Sequence, residues 1–125
     1  MLATTSAWGR VPSPVEPRQL SWVKVGETAE GVYYYDPATI SKDGNFRRIS
    51  ELFDMKARDR DGGFSRRYLK EYDCDKKRLR LLSGSTMSEP KASGNPLFSV
   101  RNPGKWYDVD GGSIAGDILR FVCSR

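Results

Sequence analysis

From Phe64 to Cys74 the chain alternates without a break. Phe64, Arg66, Tyr68, Lys70, Tyr72 and Cys74 fall on one side, and Ser65, Arg67, Leu69, Glu71 and Asp73 on the other. A period of two residues sustained over this length reads as a β-strand and argues against a helix. Such a strand is not stable alone, so the rest of the chain must supply further strands to pair with it.

The flanking segments carry weaker forms of the same signature. Leu20 to Val25 alternates, and Glu30 to Asp36 contains the β-forming run Val32-Tyr33-Tyr34-Tyr35. Asn45 to Met55 carries Phe46, Ile49, Leu52 and Phe53, with a phase slip that reads as a bulge. Arg78 to Ser83 and Leu97 to Val100 complete the set. Between them lie the turn Lys42-Asp43-Gly44-Asn45, the charged loop from Arg58 to Gly63, and the tight turn Asp75-Lys76-Lys77.

Only the C-terminal segment changes period. Ser113 suits a helix cap, and Ile114, Ile118, Phe121 and Val122 fall on one helical stripe, interrupted by Gly116. The expected fold is α+β: an antiparallel meander of five or six strands packed by one C-terminal helix. Residues 20–125 form the domain. Residues 1–19, with Pro12, Pro14 and Pro17, read as an extended tail.

At 125 residues the chain supports one domain, and it contains no histidine. That removes Ser-His-Asp and Cys-His arrangements and every His-bearing zinc site. Two cysteines 49 positions apart, Cys74 and Cys123, make neither a CxxC motif nor a four-thiolate site. The acidic pairs Asp59/Asp61, Asp73/Asp75 and Asp108/Asp110 each sit at a turn or loop, where Asp serves the local backbone. No metal, cofactor or catalytic residue is expected, and Ser113 has no base beside it. Trp22 and Trp106 read as packing residues.

The net charge is +5, and all the excess lies between Lys42 and Arg80, which hold 13 Lys/Arg against 8 Asp/Glu. A patch of this kind attracts sulfated glycans, acidic proteins, anionic surfaces or nucleic acid. It also suits a solvated sheet face kept soluble by its charges. No stretch is long and apolar enough for a membrane helix. Met1 to Trp8 lacks the features of a signal peptide, so the chain reads as cytosolic or as a mature form whose leader has been removed. Cys74 ends a strand and Cys123 ends the helix. They read either as a bridge pinning helix to sheet, which implies an oxidising compartment, or as two buried thiols.

From residue 22 onward the order of features resembles the surface-adhesin protein E family of Gram-negative bacteria. The matching elements are Trp22, Tyr35-Asp36-Pro37 with Ile40 before Gly44-Asn45, Glu51-Leu52, and Glu71-Tyr72-Asp73-Cys74. Arg78-Leu79-Arg80, Trp106, Gly112-Ser113 and a terminal helix ending in Cys123 complete it. Ser83 to Asn95, rich in Ser and Pro, departs from the family pattern. The resemblance implies a Cys74–Cys123 disulfide and export to the periplasm, the outer-membrane surface or beyond. It further implies an adhesin-like role toward host matrix or serum proteins.

The expected function is therefore a non-enzymatic binding protein that engages a protein or sulfated glycan. Its candidate partner-binding residues are Arg66, Arg67, Tyr68, Lys70, Lys76, Lys77, Arg78 and Arg80. The alternative is a periplasmic structural or interaction domain with no adhesive role, and after it a nucleic-acid-binding basic sheet. The last lacks an RNP-type signature. An exposed edge strand makes a homodimer an expected possibility.

Overall fold

The computed structural model describes residues 21–125, so the expected tail over residues 1–19, and Leu20, lie outside the described residues. Strands β1 (Val23–Glu27), β2 (Gly31–Asp43), β3 (Phe46–Met55), β4 (Ser65–Asp73), β5 (Arg78–Met87) and β6 (Pro96–Val100) pair antiparallel in chain order. A two-residue strand, β7 (Tyr107–Asp108), pairs with the start of β5, whereas β6 pairs with its end. The helix α1 (Ile114–Cys123) packs on one face of this sheet. It is the expected α+β meander, with the short β7 added.

Turn chemistry explains the hairpins. Gly44 takes a left-handed backbone (φ 59°) in the two-residue connection between β2 and β3, as an Asp-Gly turn requires. At the β4–β5 turn the Asp73 carboxylate accepts the N–H groups of Asp75 (3.0 Å) and Lys76 (3.1 Å). Asp59 does the same in the loop after β3, accepting from Asp61 and Gly63. The acidic pairs thus include carboxylates that hold turns.

The bulge expected in residues 45–55 is instead in β2. The register of β3 with β4 runs unbroken from Phe46↔Asp73 to Asp54↔Ser65. On the other side, pairing jumps from Asp36↔Ser50 to Ser41↔Arg48, so β2 carries the extra residues. The buried Asp36 accepts the Ala38 N–H at 2.9 Å, and Thr39 Oγ1 bridges the gap by accepting from Ser50 N–H at 2.9 Å. Pro37, which has no N–H to donate, sits where no ladder bond is needed. The apparent slip in β3 arises because both its faces are buried: Ile49 faces the helix and Leu52 the opposite side, each 0% exposed. Asp36-Pro37 therefore sits at a bulge within β2, which continues to Asp43.

The core lies between α1 and the sheet. Ile118, Leu119 and Val122 pack with Ile49 and Tyr72, bordered by Val25, Tyr35, Ile40 and Leu79. Phe121 stacks on Tyr35 with ring centroids 4.7 Å apart. Ser113 caps the helix, its Oγ accepting the Gly116 N–H at 3.0 Å. Gly116 is no accident of sequence: a Cβ there would meet the Asp110 carbonyl oxygen at 2.6 Å. Close approach of the preceding loop therefore offsets the helix-propensity cost of glycine, roughly 1 kcal/mol. Cys74, just past β4, is bonded to Cys123 at the end of α1, with Cα atoms 5.7 Å apart. No helix among the described residues is long and apolar enough to cross a membrane.

Ser83 to Asn95 divides between two structures. Its first part continues β5 to Met87. The rest folds back over the sheet face away from α1, where Lys91 N–H donates to Asp54 and Ala92 N–H to Ser65 Oγ, at 2.8 and 2.9 Å.

Candidate functional site

Strand alternation and register divide the basic residues between two faces. On the face away from α1, Arg48, Glu71 and Arg80 stand in one cross-strand row, and Phe46, Asp73 and Arg78 in the next. Glu71 is nearly inaccessible and accepts from Arg48 Nε at 3.0 Å and from Arg80 Nε at 2.9 Å. Arg78 Nε donates to Asp73 at 3.0 Å. Trp106 lies against this ladder, with the guanidinium carbons of Arg78 and Arg80 at 4.4 and 4.6 Å from its ring centroid and Phe46 stacked at 5.9 Å. The indole packs on cations and not in the apolar core, a contact in which ring and charge attract.

On the helix face, Glu51 is 3% exposed and holds Lys70 Nζ at 3.0 Å. Tyr72 donates its hydroxyl to the other oxygen of the same carboxylate. Burial opposes the charge on Lys70, yet Glu51 outweighs it and raises the ammonium above its ordinary value. Burial first, and Glu51 second, push the Tyr72 phenol well up. Both groups therefore stay protonated through the neutral range. The Lys70 ammonium lies 4.9 Å from the centroid of Tyr68, whose phenol burial also raises, and Arg66 reaches Asp59 at 3.4 Å.

The eight candidate residues do not form one surface. Arg66, Tyr68 and Lys70 share the helix face; Arg67, Arg78 and Arg80 share the other; Lys76 and Lys77 are exposed on the turn that joins them. Lys70, Arg78 and Arg80 are matched by carboxylates on the neighbouring strand, and Arg66 by Asp59 in the loop after β3. Arg67 has no ion-pair partner, and neither do the two turn lysines, among the described residues. Arg48, Trp106 and Arg101 were not among the candidates, although the first two complete the ladder and the third lies beside Arg67 in a cleft. Cross-strand register, which a single sequence does not print, is the signal that finds them.

Asp73 gives the ladder a measurable pH dependence. Burial alone would raise its carboxyl, but the Lys76 N–H, the Arg78 guanidinium and the Asp75 N–H hold it below its ordinary value of 3.8. A carboxylate lowered in the folded state stabilises above its unfolded value, and that contribution is lost as pH falls through the lower folded one. Asp73→Asn should therefore flatten the loss of stability as pH falls below the ordinary carboxyl value of 3.8. Acid titration of unfolding checks it; a profile parallel to that of the unaltered chain would contradict the assignment.

A six-strand antiparallel meander closed by one disulfide-pinned C-terminal helix defines a class of small α+β domains. The family model of surface-adhesin protein E matches residues 22–124, and the chain belongs to that family. It is a surface-adhesin-like protein. Solved structures similar to it include crystal form II of protein E from Haemophilus influenzae, at 11% identity and TM-score 0.69, covering 90% of this chain and 94% of that one. The selenomethionine form of the same protein follows at 14% identity and TM-score 0.64, with 91% and 94% covered. Protein E from non-typeable Haemophilus influenzae matches at 11% identity and TM-score 0.64, over 90% and 82% of the two chains. At such identities the likeness is one of fold. No match was found among curated proteins.

Proposed function

We propose that this domain is an exported, non-enzymatic binding module that engages a host protein or a sulfated glycan through the basic strip at the β4–β5 turn. The carrying observation is that Lys76 and Lys77 are exposed without counter-ions, beside the Arg78–Trp106–Arg80 stack. Arginine and aromatic side chains held rigid beside unpaired cations are favourable contact groups, since little order is lost on binding. The Cys74–Cys123 bridge supports an oxidising compartment, the periplasm or the outer-membrane surface. Against catalysis stand the absence of histidine and the engagement of Asp59 and Asp73 in backbone bonds.

Retention on a heparin column tests the strip. Lys76→Ala combined with Lys77→Asn should lower the eluting salt concentration, because each lost contact removes a released counterion. Asparagine suits the left-handed backbone at position 77 (φ 52°). Unchanged elution would remove the strip from the reading. Absence of any retention would favour a periplasmic structural domain with no adhesive role. Retention of an oligonucleotide in place of heparin would favour the basic sheet as a nucleic-acid surface.

A second copy of the chain is a further partner in this reading. The outer edge of β6 is unpaired among the described strands, and Leu97, Phe98 and Val100 are 40%, 58% and 55% exposed. No charge within β6 guards that edge. Sedimentation should give a dimer that Phe98→Lys returns to monomer; a monomer at all concentrations would exclude it.

A further inference from the structure

On the face away from α1, one cleft has a volume of about 530 Å³, within the ~300–1,000 Å³ usual for small-ligand sites. Register builds it from two adjacent rows. Arg67, Ser85 and Ser99 stand side by side across β4, β5 and β6, and Ser50, Leu69 and Ser83 across β3, β4 and β5. Arg101 follows β6 and lines the same cleft. The Ser85 and Ser99 hydroxyls are 2.9 Å apart and orient one another.

Charge separates this cleft from the ladder nearby. Arg48, Arg78 and Arg80 are each held by a buried carboxylate. No carboxylate lines the cleft, and neither the Arg67 nor the Arg101 guanidinium has an ion-pair or hydrogen-bond partner among the described residues. Two exposed guanidinium groups therefore face a concavity furnished with four hydroxyls and floored by Leu69. The planar guanidinium fork matches a tetrahedral oxyanion, and serine hydroxyls both donate to and accept from alcohols. A bare inorganic anion would use only the first of these features.

We infer that the cleft binds a sugar unit bearing an esterified oxyanion. Arg67 and Arg101 clamp the ester, Ser50, Ser83, Ser85 and Ser99 meet ring hydroxyls, and the apolar floor takes a face of the ring. The inference deepens the binding-module reading and rests on it for the ligand class, but it uses residues separate from the lysine strip. Sulfated and phosphorylated sugars share the recognised chemistry.

Calorimetric titration distinguishes the sources. A trisulfated heparin disaccharide, N-acetylglucosamine 6-phosphate and inorganic sulfate would each be titrated into the whole chain. At least one sugar ester should bind saturably, and more tightly than inorganic sulfate; the tighter of the two names the ester. Arg67→Ala and Arg101→Ala should each weaken that binding by about tenfold or more. Both side chains are exposed and unpaired, so neither change threatens the fold. Lys76→Ala with Lys77→Asn should leave disaccharide binding unchanged. Absence of saturable sugar binding, equal affinity for inorganic sulfate, or indifference to both arginine variants would overturn the inference. If column retention through Lys76 and Lys77 persists while the sugar esters fail, the cleft assignment falls alone. If the esters bind without any such retention, the strip falls and the cleft stands.

Discussion

Replacing both Cys74 and Cys123 with serine should lower the stability of this domain by about 4 kcal/mol, the chain-entropy value for a bridge spanning 49 residues. Domains of this size rest on roughly 5–15 kcal/mol in total, so the bridge supplies a large fraction. The loss concentrates on α1, whose Ile118, Leu119 and Val122 make the core with the sheet. The core contacts remain in the variant, so the fold should persist in mild conditions and fail early in urea. With a slope of about 1–3 kcal/mol per molar, the urea midpoint should fall by roughly 1–4 M. Reduction of the native chain should reproduce the shift. The double variant is the proper comparison, because a single one leaves a thiol free to form intermolecular bonds. An unchanged midpoint would mean that packing alone fixes the helix.

Lys70→Met should cost a comparable amount, about 3–5 kcal/mol, although it deletes a charge from a region with a positive excess. Its partner Glu51 is 3% exposed and would keep only the Tyr72 hydroxyl. Breaking a buried pair from one side leaves a charge that water cannot reach, and that penalty exceeds the gain from methionine packing. Tyr72→Phe should cost less, about 1–3 kcal/mol, since the ammonium at 3.0 Å remains. Adding Glu51→Gln to Lys70→Met should recover part of the loss, the sign expected for two members of one interaction. Lys70 and Tyr72 are both raised by the cluster. A raised group stabilises below its unfolded value and loses that contribution as pH rises through the folded one, so these two contributions are lost in alkali. Denaturant unfolding of the four proteins at pH 7 reads the series; a loss below 1 kcal/mol for Lys70→Met would show that the pair is solvated.

The meander, the helix and its cap were legible because each is written in local periodicity. Residues 64–74 alternate, Ser113 precedes the Ile114–Ile118–Val122 stripe, and Gly44 marks a hairpin. The far halves of β2 and β5 were not. Asp36-Pro37 carries turn chemistry inside a strand, and Gly84-Ser85-Thr86 lacks the apolar alternation that identifies one. The disulfide was legible through family resemblance, whereas spacing alone left reduced thiols open.

The candidate site was legible as composition and not as geometry. Counting charge from Lys42 to Arg80 found the basic excess but not which cations it leaves free. That depends on Glu51 facing Tyr68 and Lys70, and on Glu71 facing Arg48 and Arg80. Register between β3 and β4 and between β4 and β5 decides those pairings. Arg101 fell outside the basic stretch altogether and joins Arg67 only because β6 folds back along β5.

Each strand from β1 to β6 pairs with its neighbour in the chain, whereas α1 returns to the beginning and packs on Val25. The sheet is therefore assembled from contacts of short sequence separation, which form early and cheaply. Docking of the helix closes the longest loop and should therefore come last. A bridge between Cys74 and Cys123 secures the step nearest the native state, where it opposes escape more than it assists arrival. The bond works as a latch on an already folded molecule, and its removal should show chiefly as faster opening, with the rate of folding little changed.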